Sequence, residues 1–450
     1  MKKLFILLIT TGLLVSCEDF LDVPPATGLT SDKLTDLAAM ESLVMGAYDN
    51  ARLSIPQVCI YTNVQIRDLK TDQVNHTQFW EHNPTETLTE WYFSESYICI
   101  DLLNKVLNAD VEDMEGTDAE KAAILGDAYF LRALIYYDLA PPWTLHSTGY
   151  TVPYIDELVD VNERVSCSLA SEIRTAVEAD IEEARTKFTG GVSGNADYWA
   201  ATALAARIYF HHGKYDQSYQ MANEVITNGG FSLPPTVTEA FQPETNSAEN
   251  IFSLKYNATE ANLAIGRLYS QFVNDIDFNV FWLNPDGEAV QIFLSVPGDA
   301  RWDAFVADSS ASVGRMYISE KYPTDQMNYP LLRLPEMYLT RAEANIMRNS
   351  SVSQQDVDDI NMLRNRANPS TMLGAIPSVD AALDTLYNDR VREMLIDGAD
   401  RFHNIYRLQR PIVKIPQEGS GWKPFSEYAD QVAWPLPQRE VDFHGLTRNP

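Results

Sequence analysis

Apolar residues recur at helical spacing along most of the chain. Between Ser31 and Arg52, leucine, valine and alanine return every three or four positions, and Ser31 can cap the amino end of the helix. The same spacing predicts helices over 31–52, 87–107, 117–139, 168–187, 196–211, 215–228, 335–348, 353–366 and 379–396. The pattern therefore predicts a mainly α-helical protein.

The helix over 117–139 has recognisable signals at both ends. Thr117 and Glu120 have the spacing of a capping box, in which each side chain accepts a hydrogen bond from the backbone N–H of the other residue. Pro141 and Pro142 follow shortly after, and proline disrupts helical hydrogen bonding. We expect these two prolines to end the helix.

Residues 196–228 resemble a tetratricopeptide unit. Small residues around Ala203 and Ala206 allow two helices to approach closely, and an aromatic residue near the turn, Tyr215, fills the space between them. A more degenerate copy begins near Tyr338 and continues through the helix over 353–366. Two copies suggest a helical-repeat scaffold, although unrelated helical hairpins use the same small-residue packing.

The helical period fades between Gly229 and Pro330. Proline, glycine, asparagine, aspartate and aromatic residues accumulate there, and only short apolar runs such as 251–254 resemble strands. Long irregular segments usually either carry function or are disordered, and the aromatic content here argues against disorder. We expect this segment to form a loop-rich face.

The first residues have the features of a lipoprotein signal peptide. Lys2 and Lys3 precede an apolar run too short to span a bilayer, and Cys17 follows a small residue at the cleavage position. We predict that residues 1–16 are removed, that lipidated Cys17 begins an extended tether over 17–30, and that 31–450 form one domain. Several acyl chains on one residue give stable membrane anchoring. The alternative is a plain secreted protein in which Cys17 stands by chance.

Acidic residues outnumber basic ones, 63 to 34, which gives the chain a formal charge of −29. A polyphosphate would meet repulsion over most of the surface, so the composition argues against a nucleic-acid partner. The same repulsion disfavours highly anionic glycans. A local cluster of arginine or lysine can override it, because salt screens the more distant charges.

Several segments together resemble the SusD/RagB family. The matches are CEDFLD at 17–22, Trp91 with Tyr97 and Asn104 on an early helix, RLPEMYLTRAEA at 333–344, and WPLP at 434–437. The segment at 333–344 is the strongest single match. The resemblance spans the mature chain, and it is sparse between Gly229 and Pro297.

The resemblance implies a single domain of tetratricopeptide-like helices with a loop-rich irregular face. It also implies a cell-surface, outer-membrane lipoprotein without cofactor, metal or catalytic activity. Its partner would be a SusC-like TonB-dependent outer-membrane barrel, to which it delivers captured oligosaccharides. Peptide capture, as in RagB-like members, stays open as an alternative. A secreted glycoside hydrolase with two carboxylates is a more distant alternative, and the chain contains no G-x-S-x-G, H-E-x-x-H or G-x-x-x-x-G-K motif.

Two loop clusters have the residue types that bind neutral sugars. Aromatic rings stack on the C–H faces of a sugar, while carboxylates, amides and arginines hydrogen-bond its hydroxyls. In SusD-like proteins the ligand aromatics lie in comparable regions, and Trp80 and Trp282 are the first choices here. For each aromatic residue the alternative is local packing. The full candidate set is Arg67, Asp68, Asp72, Trp80, Asn83, Phe281 and Trp282.

Other positions that match the family are predicted to be structural. We expect Trp91 to pack in the core. Arg364 and Arg366 could serve either the interior or a ligand. The predicted internal polar network consists of Arg333, Arg341 and Glu343.

Overall fold

Helices make up most of the described residues in this computed structural model. These residues are 34–71, 74–159, 163–242, 247–256, 281–308, 317–324 and 327–447. The predicted signal peptide, Cys17, the tether and Asp72 lie outside them. The prediction of a mainly helical protein is confirmed. The α-helices are α1 Leu37–Gln65, α2 Val74–Trp80, α3 Glu86–Leu107, α4 Asp118–Trp143, α5 Ala170–Lys187, α6 Tyr198–His211, α7 Tyr215–Asn228, α8 Glu288–Leu294, α9 Ala300–Phe305, α10 Leu334–Asn349, α11 Gln354–Ala367, α12 Val379–Glu393, α13 Asp400–Leu408, α14 Phe425–Tyr428 and α15 Gln438–His444.

The first helix, α1, is longer than predicted. It begins at Leu37 with Asp36 as its cap, so the start predicted at 31 with Ser31 as cap is wrong, and it continues beyond Arg52 and through Pro56. Proline has no N–H for the carbonyl four residues earlier, which is that of Arg52. The hydroxyl of Tyr256 donates to this carbonyl at 2.6 Å instead. A residue distant in sequence therefore compensates for the proline, which is why the local pattern placed the end of the helix too early.

The amino end of α4 is confirmed, whereas its predicted carboxyl end is wrong. The hydroxyl of Thr117 accepts from the N–H of Glu120 at 3.2 Å, and the Glu120 carboxylate accepts from the N–H of Thr117 at 2.8 Å. The helix then continues through Pro141 and Pro142 to Trp143. The fixed φ of proline is compatible with a helical turn. Because Pro141 and Pro142 lie in the last turn, the helix loses only the two N–H groups that these residues lack.

Helical hairpins stack one after another along the chain. α4 packs on α5, α5 on α6, α6 on α7, α7 on α10, and α10 on both α11 and α12. The alanines of α6 are buried, and the hydroxyl of Ser218 on α7 donates to the carbonyl of Ala206 at 2.9 Å. This close approach is the packing that the small residues predicted.

Short antiparallel strands form the irregular part of the structure. One sheet has the order β1-β3-β5-β4, and β2 pairs with β6 and β7 with β8. The strand expected around 251–254 is confirmed as β2, but α2, α8, α9, α13 to α15 and the other strands were not predicted. Most of these are shorter than the stretch over which a periodic pattern becomes visible. β6 is as long as β2, but it is buried along its whole length and so shows no alternation of apolar and polar residues. The strands are β1 Leu69–Lys70, β2 Asn250–Leu254, β3 Trp282–Leu283, β4 Val306–Asp308, β5 Tyr317–Ser319, β6 Tyr329–Arg333, β7 Ile412–Val413 and β8 Trp422–Lys423.

A buried charge network joins the helices to the strands, and the internal role predicted for Arg333 is confirmed. Its Nη1 lies 2.7 Å from Glu249 Oε1, and its guanidinium also contacts Glu393 and Asp397. Arg366 belongs to the same interior network through Glu249 and Glu393. Buried charges are costly unless paired, so these contacts fix the position of one element against another. The other predicted members also pair in the interior, Arg341 with Asp359 and Glu343 with Arg407.

A buried pair between α6 and α10 tests this view of the scaffold. Nε and Nη2 of Arg207 donate to the two carboxylate oxygens of Glu336 at 2.7 and 2.6 Å. Glu336→Ala leaves the arginine charge buried without this partner, and we expect it to lower the free energy of unfolding by about 3–5 kcal/mol. Asp101→Ala is the control, because Asp101 pairs with Lys105 at the surface and should cost less than about 1 kcal/mol. Equal losses of unfolding free energy in the two variants, measured by chemical denaturation, would contradict the prediction.

Candidate ligand-binding surface

The pairing of β1 with β3 brings the two predicted clusters together. Lys70 lies opposite Trp282, and Leu69 lies opposite Leu283. Residues directly opposite each other in an antiparallel pair place their side chains on the same face. Both leucines are buried, whereas Lys70 and Trp282 are partly exposed. The ladder therefore has one face in the core and one half-exposed face.

Trp80 completes the half-exposed face. It is the last residue of α2, and the centroid of its ring lies 5.9 Å from the Nζ of Lys70. Lys70 thus has Trp80 beside its ammonium group and Trp282 across the ladder. We call Trp80, Lys70 and Trp282 the aromatic surface. It contains both tryptophans that the sequence favoured, together with a lysine that was not predicted.

Arg67, predicted to contact a ligand, lies behind the aromatic surface. Its side chain is 0% exposed, which corrects that expectation, because a ligand cannot reach it. The guanidinium donates to the Glu418 carboxylate at 2.7 Å and to the backbone carbonyls of Val413 and Trp80. Its φ of 67° is uncommon for a residue other than glycine, and such a conformation persists where the surroundings hold it. Arg67 therefore positions Trp80.

Asp68 and Phe281 are also interior, which corrects two further expectations. The Asp68 carboxylate is 1% exposed and accepts from Nε of Arg401 at 2.7 Å. Phe281 is 4% exposed and packs edge-on against Tyr61, with 5.9 Å between ring centroids. Asn83, by contrast, is exposed. Asn83, three residues after Trp80, thus stays available to a ligand.

The loop after β3 is fastened to the end of α1. The backbone N–H of Asn284 donates to the carbonyl of Asp68 at 2.9 Å, and its side-chain amide donates to the carbonyl of Arg67 at 2.9 Å. Gly287 passes so close that a Cβ there would lie 2.8 Å from the Arg67 carbonyl oxygen. Only glycine allows this approach without a shift of the loop. These contacts set the position of Trp282.

Trp422 is a further exposed aromatic residue, and the sequence reasoning missed it. It is 46% exposed and lies on β8, opposite Val413. The carbonyl of Val413 accepts from Arg67, whose guanidinium carbon lies 5.9 Å from the Trp80 ring centroid. The hairpin that carries Trp422 is therefore attached to Arg67, which lies behind Trp80. The available signal was the glycine-serine-glycine turn directly before this tryptophan.

Glu418 fastens the same hairpin through two charged contacts. Its carboxylate accepts from Arg67 at 2.7 Å and from Lys423 at 2.6 Å. Burial acts to raise the pKa of Glu418, but these hydrogen bonds outweigh it and lower the pKa to about 2. The carboxylate is therefore ionised throughout the neutral range, and the hairpin stays attached to Arg67.

The core role expected for Trp91 is wrong. Trp91 is 39% exposed, while its neighbour Tyr92 is buried. The buried positions of α3 around it are Thr89, Tyr92, Phe93 and Ser96, which recur every three or four residues, and Trp91 lies off this stripe.

Neither a membrane-spanning helix nor a metal centre is found in the described ranges. Their helices lack the combined length and apolar character that a bilayer crossing requires. Their histidine, cysteine and acidic side chains form no group of three that could hold a metal ion.

Two family profiles match the chain. One, described as starch-binding associating with outer membrane, covers residues 19–210, and the other, the SusD family, covers residues 315–450. The chain belongs to the SusD/RagB family. The second profile includes the segment at 333–344 that carried the resemblance in the sequence.

Relatives of this SusD/RagB protein match almost its whole length. A SusD-like protein of Formosa agariphila is 22% identical over 96% of this chain and 95% of its own. A SusD superfamily structure from Bacteroides thetaiotaomicron has a TM-score of 0.80 at 19% identity, and covers 92% of this chain and 100% of that one. Surface glycan-binding protein A from the same species, solved with laminarihexaose, has a TM-score of 0.69 at 17% identity, with 90% and 97% coverage. These structures establish a shared fold.

His82 lies two residues after Trp80, and its burial can be tested through the pH dependence of the free energy of unfolding. Its Nε2 lies 2.9 Å from the carbonyl oxygen of Gln65. Burial first, and then the charge of Arg67, lower the pKa of His82 to about 3. An unfolded histidine titrates near 6.5, so below about pH 6.5 the unfolded state binds more protons. The free energy of unfolding therefore falls as the pH drops from about 6.5 towards 3.

We expect His82→Gln to lose less stability than the wild type between about pH 7 and 4, because its amide can still donate to Gln65 and does not titrate. Thermal unfolding of both proteins in matched buffers measures the difference. Carboxylates titrate alike in the two proteins, so their contribution to the pH dependence cancels in the difference between wild type and variant. Parallel stability curves over this range would contradict the assignment.

Proposed function

We propose that this SusD/RagB protein captures oligosaccharides at the aromatic surface. The observation that carries the proposal is that Trp80 and Trp282, from separate parts of the chain, flank Lys70 on one half-exposed face. The two rings offer platforms for the C–H faces of sugars, and the ammonium of Lys70 can donate to hydroxyl groups. Asn83 and Trp422 offer further groups of the same chemistry.

The comparisons support a glycan ligand. One matching family profile is described as starch-binding, and one structure of the same fold was solved with laminarihexaose. Arg67 holds Trp80 from behind and the Asn284 loop holds Trp282, so both rings are positioned before a ligand arrives. A preordered site loses less conformational entropy on binding.

The proposal extends to uptake at the outer membrane. We infer that lipidated Cys17 anchors the chain at the cell surface, beside a SusC-like TonB-dependent barrel that receives the captured oligosaccharide. Family membership supports this arrangement. It also supports a role in binding and not in catalysis, because hand-over to a transporter requires the ligand to leave unchanged.

Removal of either tryptophan tests the site. We expect Trp80→Ala and Trp282→Ala each to weaken binding of neutral oligosaccharides by about tenfold or more, because truncation of a central aromatic anchor costs about 2 kcal/mol. Trp422→Ala should have a smaller effect in the same direction. Trp199→Ala, on α6 within the helical hairpins, is the matched control and should leave affinity unchanged. Calorimetric titration with a panel that includes laminarihexaose provides the measurement.

Unchanged glycan affinity in both tryptophan variants would contradict the site. Saturable binding of peptides without any glycan response would contradict the ligand class. Release of shortened products from a bound glycan would contradict the purely binding role.

The anchor is tested separately. Cys17→Ala removes the thiol that would receive the lipid, so we expect the protein to move from the membrane fraction to the soluble fraction of the expressing cells. Incorporation of labelled palmitate into wild type and variant checks the cause. Membrane retention of the variant would contradict the proposed anchor.

A further inference from the structure

A pocket lies away from the aromatic surface, beyond the carboxyl end of α8. Its volume is about 250 Å³, below the range of pockets that hold drug-sized ligands. Three arginines line it, against two aspartates, in a chain whose overall charge is −29. The charged residues of its wall are Asp299, Arg301, Arg364, Asp389 and Arg392.

The positive charge of the wall is only partly neutralised. Arg301 is fully paired, because its guanidinium bonds both oxygens of Asp299 and also the Glu393 carboxylate. Arg364 and Arg392, however, share one carboxylate. Nε of Arg364 lies 2.9 Å from one oxygen of Asp389, and Nη1 of Arg392 lies 3.3 Å from the other. Two cations therefore face one anion.

Arg392 also has unused hydrogen-bonding capacity. Its side chain is 6% exposed, and besides Asp389 it bonds the carbonyl of Ile292 at 3.1 Å. Its Nε has no hydrogen-bond partner among the described residues. Burial first, and then the charges of Arg301 and Arg364, outweigh the carboxylates of Asp389 and Asp299 and lower the pKa of Arg392. Asp389 is the one carboxylate that Arg392 bonds among the described residues, and Arg364 shares it. The remaining Nε–H of Arg392 is a buried donor without a partner, which is costly.

We propose that this pocket binds a small oxyanion, a carboxylate, sulfate or phosphate group, between Arg364 and Arg392. Planar guanidinium groups bind such anions through paired, charge-assisted hydrogen bonds. The site is independent of glycan binding at the aromatic surface. The oxyanion can be a free ion or a charged substituent of a larger ligand, and both present the same chemistry to the arginines.

Anion-dependent stability tests the pocket. Thermal unfolding is followed in sodium sulfate and in sodium chloride at matched ionic strength, for wild type, Arg364→Gln, Arg392→Gln and the control Arg348→Gln. Arg348 lies on α10, outside the pocket, and its variant removes the same charge. We expect saturable stabilisation of wild type and control by sulfate, with an apparent affinity weaker by about tenfold or more in both pocket variants. Equal stabilisation of all four proteins would identify a general salt effect and overturn the proposal.

A measurement on the wild type keeps the proposal testable if the pocket variants do not fold. Selenate soaked into wild-type crystals can be located by its anomalous scattering. Density between Arg364 and Arg392 is expected. A pocket without selenate at saturating concentration would overturn the proposal.

The source of the anion is distinguished by comparing the affinities of three anions. Inorganic sulfate, inorganic phosphate and a methyl glucuronide are titrated separately. Tighter binding of the glucuronide identifies a sugar-borne carboxylate, and equal or tighter binding of the inorganic ions identifies a free-ion site. No response to any of them would overturn the proposal.

Discussion

Two consecutive charges buried just after α1, Arg67 and Asp68, decide where the proposed binding surface forms. Each needs partners, because a buried charge without a counter-charge costs several kcal/mol. Arg67 finds them at the end of α2 and on the β7–β8 hairpin, while Asp68 finds them on α13 and in the first turn of α8, which a short loop joins to β3. Trp80, Trp422 and Trp282 lie on these attached segments. The segments that bond Arg67 and Asp68 therefore bring three tryptophans from distant parts of the chain towards these two residues.

The need to pair buried charges also explains why the helices and the short strands hold together. Arg333 opens the helix α10, and its carboxylate partners lie just before β2 and around the end of α12. Within that network each cation has nearby carboxylates. The wall around Arg364 and Arg392 departs from this rule, because a single carboxylate serves both. A deficit of negative charge in an otherwise compensated interior is a physical reason to expect a ligand there.

The long helices were predicted from sequence periodicity, and the capping box of α4 from the spacing of Thr117 and Glu120, since both are local patterns. Trp80 and Trp282 were favoured for another reason: aromatic rings suit the faces of sugars, and the resemblance to SusD-like proteins places ligand aromatics in comparable regions. Their role in binding stays a prediction. Sequence periodicity could not find the β1–β3 ladder, since strands of two residues have no period. Nor could it see that Arg67 and Asp68 are buried: charged residues are mostly exposed, and the counter-charge of Asp68 lies 333 positions later in the chain. Site residues and the residues that support them looked alike in the sequence.

The two proposed sites are connected by one short helix. The amino end of α8 is held near the aromatic surface, where the N–H of Ala289 donates to the Asp68 carboxylate at 3.4 Å. Towards its carboxyl end, the carbonyl of Ile292 accepts from Arg392. A helix of seven residues is about 10 Å long and resists bending over so few turns. The oxyanion pocket and the aromatic surface therefore have a fixed separation, and a ligand that reaches both must carry its charged group at that distance from its stacking rings.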